Sequence, residues 1–336
     1  MRLLRIGPPG RERPCAVGPG GIVRDLSSWV PDWTGAHLDP DALRVLAARL
    51  EREGGTLPEA DPAAERVGPP VRPGGHVLSI GLNYRAHAAE AGMDLPDEPI
   101  VASKAPSAVA GPHDDLLLPP GGERTDWEVE LAVVIGRVAR YLPDRSAAAA
   151  HIAGFATAND LSERSWLLER GGQWVKGKSF ESFGPLGPQL VTPDEAGDPQ
   201  SLRLTCRVNG RLMQDGNTAD MVFDVAHLVW YLSRFMVLHP GDVILTGSPG
   251  GVALGRPDQP YLRAGDLVEA EVEGLGAHRQ RCRPAVVPDV VPAAVPDVVP
   301  AAGPGVVPLA APDARVPGAG AAAPAPRTGE AVEARW

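Results

Sequence analysis

The stretch Trp127-Glu-Val-Glu-Leu-Ala-Val-Val-Ile135 decides the fold. Its apolar, β-branched run predicts a strand. Side chains alternate faces along a strand, so Glu128 and Glu130 project together while Trp127, Val129 and Leu131 point the other way. Two carboxylates side by side in an apolar strand repel unless positive charge lies between them. A hard divalent cation with oxygen ligands meets that need, and Asp160, closing the run Gly154-Phe-Ala-Thr-Ala-Asn-Asp160, can supply a third carboxylate. A bare Glu-x-Glu is more often the wet face of a half-exposed strand, so the cation reading rests on what surrounds it.

Outward from this stretch, strand-like pieces recur at Val77-Leu-Ser-Ile80, Ile152 to Ala158, Leu202 to Val208, Asp242-Val-Ile-Leu-Thr246 and Leu267 to Val272. Asn209-Gly210 signals a hairpin, and His239-Pro-Gly-Asp242 and Arg263-Ala-Gly-Asp266 read as turns that launch strands. Asp224 caps a helix running to Phe235, with Leu228, Tyr231, Leu232 and Phe235 turned inward. There is no alternating strand–helix rhythm, so residues 76–283 read as one α+β domain, mostly β with a few helices. Residues 1–70 read as a small, separate N-terminal domain. It holds strands at Leu3-Leu-Arg-Ile6 and Gly21-Ile-Val23, and a helix capped by Asp39 with Pro40 at its first position and Leu43, Leu46, Ala47 and Leu50 on one face. A Pro- and Gly-rich linker follows to residue 75. From 284 to 336 the octad Pro-Asp-Val-Val-Pro-Ala-Ala-Val starts at Pro288 and nearly repeats at Pro296. With 11 prolines and no aromatic before Trp336, this segment cannot build a core and reads as a disordered tail.

At 336 residues with 43% hydrophobic content, the chain can bury a sizeable core. Aromatics are sparse at 5%, while 39 glycines and 37 prolines favour many turns and short strands over a helical bundle. A net charge of −10 argues against nucleic-acid and anionic-membrane partners, leaving room for a local basic pocket. Cys15, Cys206 and Cys282 are widely spaced and odd in number, with no disulfide framework or zinc pattern, which suggests a reducing compartment. The opening Met-Arg-Leu-Leu-Arg-Ile-Gly-Pro-Pro is too short in apolar residues for a signal peptide, and no run approaches the ~18 of a spanning helix, so a cytoplasmic protein without a membrane partner is expected.

Three further segments carry chemistry. In Asn83-Tyr-Arg-Ala-His-Ala-Ala-Glu90, a helix from Arg85 puts His87 and Glu90 on one face, the arrangement of a general base with its helper, though such pairs are mostly surface decoration. Gly171-Gly-Gln-Trp-Val-Lys-Gly-Lys-Ser-Phe180 sets Lys176 and Lys178 among glycines. A lysine there could steady developing negative charge or simply be solvated; the spacing is not that of a phosphate-cradling loop. Leu245-Thr-Gly-Ser-Pro-Gly-Gly-Val252 follows a strand and offers Thr246 and Ser248 hydroxyls beside backbone amides, as an anion nest or a plain tight turn. His113, His151, His227, His239 and His278 fit no metal spacing.

In order and spacing, these pieces resemble the fumarylacetoacetate hydrolase family from about Val77 to Gln280. The matching elements are Gly81-Leu-Asn-Tyr-Arg-Ala-His-Ala-Ala-Glu-Ala-Gly92, Lys104, Gly111-Pro112, Asp126 to Gly136, Asn159-Asp-Leu-Ser-Glu-Arg164, Gly177-Lys-Ser-Phe180, Gln214-Asp-Gly-Asn-Thr218 and Pro240-Gly-Asp-Val-Ile-Leu-Thr-Gly247. Ser162-Glu-Arg164, Leu168-Glu-Arg-Gly-Gly-Gln-Trp174 and Gly274-Leu-Gly276 look most like members acting on 2,4-diketo-3-deoxy sugar acids, of acylpyruvase type. The resemblance implies a mixed β-roll catalytic domain, a homodimer, and Mg²⁺ or Mn²⁺ (Ca²⁺ in some settings) held by Glu128, Glu130 and Asp160. It implies a catalytic dyad of His87 and Glu90, an active-site lysine at Lys178, and substrate contacts from Tyr84, Arg85, Lys104 and Thr246. The implied chemistry is hydrolytic cleavage of a carbon–carbon bond in a small-molecule 2,4-diketo acid, through an enolate, releasing pyruvate or a related 2-oxo acid.

Two departures stand out. Ser165 replaces an acidic residue common in relatives, and Leu167 a glutamine that touches substrate, so a more apolar or differently shaped substrate is expected there. Ser248 replaces a threonine, a milder change. Decarboxylation of a 2-oxo acid and isomerisation of a dienol fit the same residues, since all pass through an enolate. A non-catalytic metabolite-binding protein is the remaining alternative, against which the intact carboxylate triad and dyad argue.

Overall fold

Val129–Ile135 is a strand buried on both faces, which removes the half-exposed reading of Glu-x-Glu. Leu131, Val133 and Ile135 enter one apolar core and Ala132 and Val134 another, as the two-residue period requires. The computed structural model describes residues 1–72, 75–90 and 92–287. Residues 73 and 74 of the expected linker, and the expected tail from 288 on, lie outside the described residues; Pro284 closes the last strand, Gly276–Pro284.

The main sheet runs in the order Val23–Asp25, Arg13–Val17, Arg2–Ile6, Gly184–Val191, Ile152–Asn159, Val129–Ile135, Val243–Leu245, Val77–Gly81, Ile100–Lys104. Two short strands, Val67–Gly68 and Val109–Ala110, pair off this path. A second sheet, Arg211–Asn217, Arg203–Val208, Leu267–Val272, Gly276–Pro284 and Leu116–Leu118, covers one face of the first. Leu204, Cys206, Val268 and Ala270 meet Leu131, Val133 and Phe155 between the two. On the opposite face Leu43 and Leu50 of the helix Pro40–Glu53 pack with Trp33, Ala132 and Ala156. Each such buried aliphatic side chain contributes about 1.5–3 kcal/mol. The result is α+β and mostly strand, with the helices peripheral.

The N-terminal segment does not stand apart as expected. Arg2–Ile6 pairs antiparallel with Gly184–Val191, Leu3 opposite Leu190, and Met1–Ala285 form one unit. The physical reason is the apolar edge of Gly184–Val191, which the buried strand Arg2–Ile6 covers. The helix after Asp224 is a second correction. It spans Val225–Ser233, where the Ser233 hydroxyl donates to the Trp230 carbonyl (2.7 Å), and Phe235 is exposed rather than inward. The capping is as read: the Asp224 carboxylate accepts from His227 N, and that of Asp39 from Asp41 N and Ala42 N. Asn209 and Gly210 both take positive φ (52° and 79°), the two-residue turn between Arg203–Val208 and Arg211–Asn217.

His278, buried on the second sheet, makes one hydrogen bond, Nε2 to the Gly187 carbonyl (2.9 Å), while Nδ1 has no partner among the described residues. Burial pulls its pKa down to about 4. The folded state therefore keeps it neutral while the unfolded chain takes up a proton near pH 6.5. Stability is full above that pH and falls as pH drops toward 4, by about 3 kcal/mol from this group. Urea denaturation at pH 7 and pH 4 should show a smaller loss in His278→Gln than in the wild type; equal losses would remove His278 as a cause.

Candidate functional site

Glu128, Glu130 and Asp160 meet at the ends of two paired strands. Val129 lies opposite Asn159 in the register, so the residues flanking that pair are brought together. One carboxylate oxygen from each of the three lies within 4.8 Å of the others, and all three groups are buried. At that spacing two full charges repel by about 3–4 kcal/mol at an effective dielectric of about 20. Local hydrogen bonds fix them in place nonetheless. Glu128 N donates to Asn159 Oδ1 (2.9 Å) and Asp160 N to the Glu128 carbonyl (2.8 Å). The Ser79 hydroxyl donates to Asp160 Oδ2.

Three buried cations surround the acids. Lys104 Nζ donates to Asp160 Oδ1 (2.6 Å) and the Leu161 carbonyl (3.0 Å). Lys178 Nζ donates to Glu128 Oε2 (2.9 Å), Asp160 Oδ2 and Ser162 Oγ (3.1 Å). Arg164 bridges Glu128 Oε1 (2.7 Å) and Asp126 Oδ2 (2.9 Å). Burial favours the neutral form of Glu128, but Arg164 and Lys178 outweigh it and hold that carboxyl well below the usual range. Asp160 is likewise held down, against burial, by Lys104 and Lys178. Burial, Asp160 as its main opponent and then the second lysine together set Lys104 at about 8. Lys178 is kept charged, against burial, by Asp160 and Glu128.

Glu130 is the exception. Among the described residues no basic side chain pairs with it, and its Oε2 accepts only from Gly247 N (2.6 Å). Burial, then Asp160 and Glu128, push its carboxyl well above the ordinary value. The triad thus lacks positive charge at Glu130, and the buried Tyr84 hydroxyl and Asn159 Nδ2 are left without partners. An all-oxygen, carboxylate-rich set short of positive charge fits a hard divalent cation, which Glu128, Glu130 and Asp160 would hold.

The chain after Val243–Leu245 runs back along this acidic strand and ties it down residue by residue. Thr246 Oγ1 donates to the Leu131 carbonyl (2.8 Å), and Ser248 Oγ to that of Val129 (3.0 Å). Gln214 closes the clamp, accepting from Val129 N (3.0 Å) and donating to Ser248 Oγ (2.7 Å). The two hydroxyls are therefore spent on backbone carbonyls and form no anion nest. Farther along, Gly251 N donates to Glu90 Oε2 (2.7 Å). His87 and Glu90 share the face of the helix Arg85–Glu90, Nδ1 to Oε2 at 3.8 Å, an ion-pair distance too long for a hydrogen bond. His87, against a smaller effect of burial, and the Gly251 amide hold the Glu90 carboxyl below its ordinary value.

The four residues expected to touch substrate fall differently. Lys104 is buried on Asp160, and Thr246 is buried with its hydroxyl committed to Leu131. Tyr84 is fully buried, its hydroxyl without a partner among the described residues. Arg85 is exposed and donates to the Asp220 (3.0 Å) and Met221 (2.6 Å) carbonyls, because the helix turns it away from Tyr84's face. It lines an open cavity of about 610 Å³ with Arg145, Asp97 and His227 rather than joining the carboxylates. Lys176 is also exposed, bonded to the Arg170 carbonyl (2.7 Å), so of the two lysines only Lys178 enters the site.

Asp126, Arg164 and Gln214 lay within the quoted motifs without a role. The signal for Asp126 was present: Asp126, Glu128 and Glu130 share one parity along the strand. Ser165 donates to Glu163 Oε1 (2.7 Å), where an acidic residue would repel the buried Glu163. Leu167 is buried on Gly177, whose added Cβ would stand 2.6 Å from that of Leu167, so it packs the short helix bearing Lys178.

Residues 76–283 match the family model described as Fumarylacetoacetate (FAA) hydrolase C-terminal, and the chain belongs to that family. A Burkholderia multivorans protein whose name offers only a provisional hydrolase assignment is 49% identical over 286 residues, 85% of this chain and 100% of that protein. Maleylpyruvate hydrolase from Sphingobium sp. SYK-6 superposes with a TM-score of 0.70 at 28% identity. A structure of 5-carboxymethyl-2-hydroxymuconate delta-isomerase from Mycobacterium smegmatis does so with a TM-score of 0.66 at 31% identity. Each comparison covers 85% of this chain and 100% of the other. No helix among the described residues is long and apolar enough to cross a membrane.

Proposed function

We propose that this chain is a divalent-metal-dependent hydrolase that cleaves a carbon–carbon bond in a 2,4-diketo acid of the acylpyruvate type, as a homodimer. The observation that carries this reading is the buried triad Glu128, Glu130 and Asp160, short of positive charge at Glu130 and flanked by Lys178. Likeness to a maleylpyruvate hydrolase supports the substrate class. A bound Mg²⁺ or Mn²⁺ supplies Lewis acidity toward the 2-oxo acid end. With His87 Nδ1 facing Glu90, Nε2 is the nitrogen left to take a proton from water. The hydroxide so formed adds to the distal carbonyl carbon. The adjacent carbon–carbon bond then breaks, its electron pair going to the enolate of the 2-oxo acid while the distal fragment leaves as a carboxylic acid. The Lys178 ammonium steadies the enolate charge until His87 returns the proton to carbon.

The second reading, dienol isomerisation, is favoured by the likeness to the delta-isomerase. Decarboxylation needs no change of site. Incubating the full chain with Mn²⁺, Mg²⁺ or EDTA and a panel of acetylpyruvate, maleylpyruvate, a 2,4-diketo-3-deoxy acid, a 2-hydroxydienoate and oxaloacetate separates them. The expected result is one equivalent each of pyruvate (or a related 2-oxo acid) and a second acid from a diketo acid, lost in EDTA and restored by Mn²⁺. A product of unchanged mass would make the chain an isomerase. Pyruvate with carbon dioxide from oxaloacetate alone would make it a decarboxylase, and metal binding without any turnover a binding protein.

A further inference from the structure

We propose that Asp126 is a positioning residue that joins the metal ligand Glu128 to Glu90 of the dyad, an inference that rests on the hydrolase reading above. Asp126 is fully buried and its carboxylate is saturated. Oδ1 accepts from Trp127 N (2.8 Å) and Ala253 N (2.7 Å). Oδ2 accepts from Leu254 N (3.0 Å) and Arg164 Nε (2.9 Å). In one direction the link runs through Arg164 to Glu128 Oε1 (2.7 Å). In the other it runs two residues back along the loop from Ala253 to Gly251, whose amide holds Glu90 Oε2 (2.7 Å). Trp127 Nε1, donating to the Gly251 carbonyl (3.2 Å), ties the same residue from beside the acidic strand.

The loop fits closely around Glu90. A Cβ on Gly255 would stand 2.8 Å from Glu90 Cδ, and one on Gly250 3.2 Å from Glu90 Oε2. A Cβ on Gly251 would meet the Met213 carbonyl oxygen at 2.1 Å, so the loop cannot retreat on that side. Glu90 itself is partly exposed and sits at the end of a six-residue helix, which alone would leave it several rotamers. The loop selects one, and Asp126 holds the loop in register with the carboxylate triad. Asparagine is nearly the same size, but its amide nitrogen cannot accept from Leu254 N or Arg164 Nε, so Asp126→Asn cuts the link with little change of volume.

Two measurements on the full chain test this, one of them independent of turnover. Hydrogen–deuterium exchange over residues 247–256 should be slowed by Mn²⁺ in the wild type, faster without metal in Asp126→Asn, and unaffected by Mn²⁺ in that variant. With acetylpyruvate at saturating Mn²⁺, kcat of Asp126→Asn should fall about 10–100-fold with KM little changed, the scale of losing a supporting partner of a metal ligand. Wild-type kcat, or equal Mn²⁺ protection of the loop in both proteins, would overturn the proposal. Should Asp126→Asn not fold, Gly255→Ala decides: pushing on Glu90 alone, it should lower kcat by a similar factor at unchanged Mn²⁺ affinity, and unaltered kcat would overturn the role of the loop. A wild type that binds no Mn²⁺ and turns over no diketo acid would sink the hydrolase reading instead. The metal-free exchange of Asp126→Asn would then still show whether Asp126 pins the loop.

Discussion

Asp160→Ala is expected to lose divalent-cation binding together with about 3–5 kcal/mol of stability, whereas Glu130→Gln loses the cation at little cost to the metal-free fold. The difference lies in what each carboxylate leaves behind. Asp160 holds the buried ammonium groups of Lys104 and Lys178 and the hydroxyl of Ser79. Its removal strands buried charge, the costly way to break an ion pair. Among the described residues Glu130 holds only the Gly247 amide, from which a glutamine oxygen can also accept, and its carboxyl is already pushed toward the neutral form by burial, Asp160 and Glu128. The pH dependence follows with a definite sign. A carboxyl raised in the folded state stays protonated while the unfolded chain has ionised, so it lowers stability as pH climbs above about 4.5, by at most about 1.4 kcal/mol per pH unit. Glu128 and Asp160, held down in the fold, act oppositely, and their contribution is lost only as acid protonates them. Urea denaturation in EDTA at pH 5 and pH 8 should therefore show a smaller gain, or a larger loss, of stability toward pH 8 in wild type than in Glu130→Gln, the rise contributed by His278 being common to both. A Glu130→Gln protein as unstable as Asp160→Ala, with the same change between the two pH values as wild type, would mean that Glu130 has a cationic partner.

What the sequence revealed and what it hid divide along a physical line. The strand Leu267–Val272, the Asn209–Gly210 turn and the Asp224 cap depend on a few adjacent residues, and all were legible. The carboxylate triad was legible because Glu128 and Glu130 share a parity and Asp160 closes a run of strand length. The pairing of Arg2–Ile6 with Gly184–Val191 was not, since nothing local in either strand names a partner so distant in the chain. Lys104 is the clearest case inside the site. The resemblance implies a substrate contact there, and the fold shows its ammonium bonded to Asp160. Thr246 likewise has its hydroxyl bonded to the neighbouring strand's carbonyl, which no local pattern announces. For the positions from which substrate contact is expected, the sequence could not show which polar atoms the fold engages internally, as with Lys104 and Thr246, and which it buries, as with Tyr84.

Lys178→Met should lower kcat about 10²–10³-fold while leaving Mn²⁺ affinity unchanged or increased, the scale seen when one preorganised donor to a developing anion is removed. The metal-free protein should also lose stability, because Glu128 and Asp160 would face each other with one ammonium fewer between them. These two consequences respond differently to metal, and that separates catalysis from structure. A divalent cation among the three carboxylates replaces the missing positive charge, so saturating Mn²⁺ should restore most of the lost Tm, and the metal-induced rise in Tm should exceed that of wild type. On the proposed mechanism it cannot restore the charged donor that Lys178 offers to the enolate. Lys104 provides the control. It holds Asp160 from the other side and bonds the Leu161 carbonyl, without touching Glu128, so Lys104→Met should behave as a defect of the carboxylate cluster alone. Thermal unfolding and acetylpyruvate turnover of both variants across a Mn²⁺ titration would show it. Recovery of Tm and kcat together in Lys178→Met would reduce Lys178 to a counter-ion, while recovery of Tm without kcat, against recovery of both in Lys104→Met, assigns the enolate charge to Lys178.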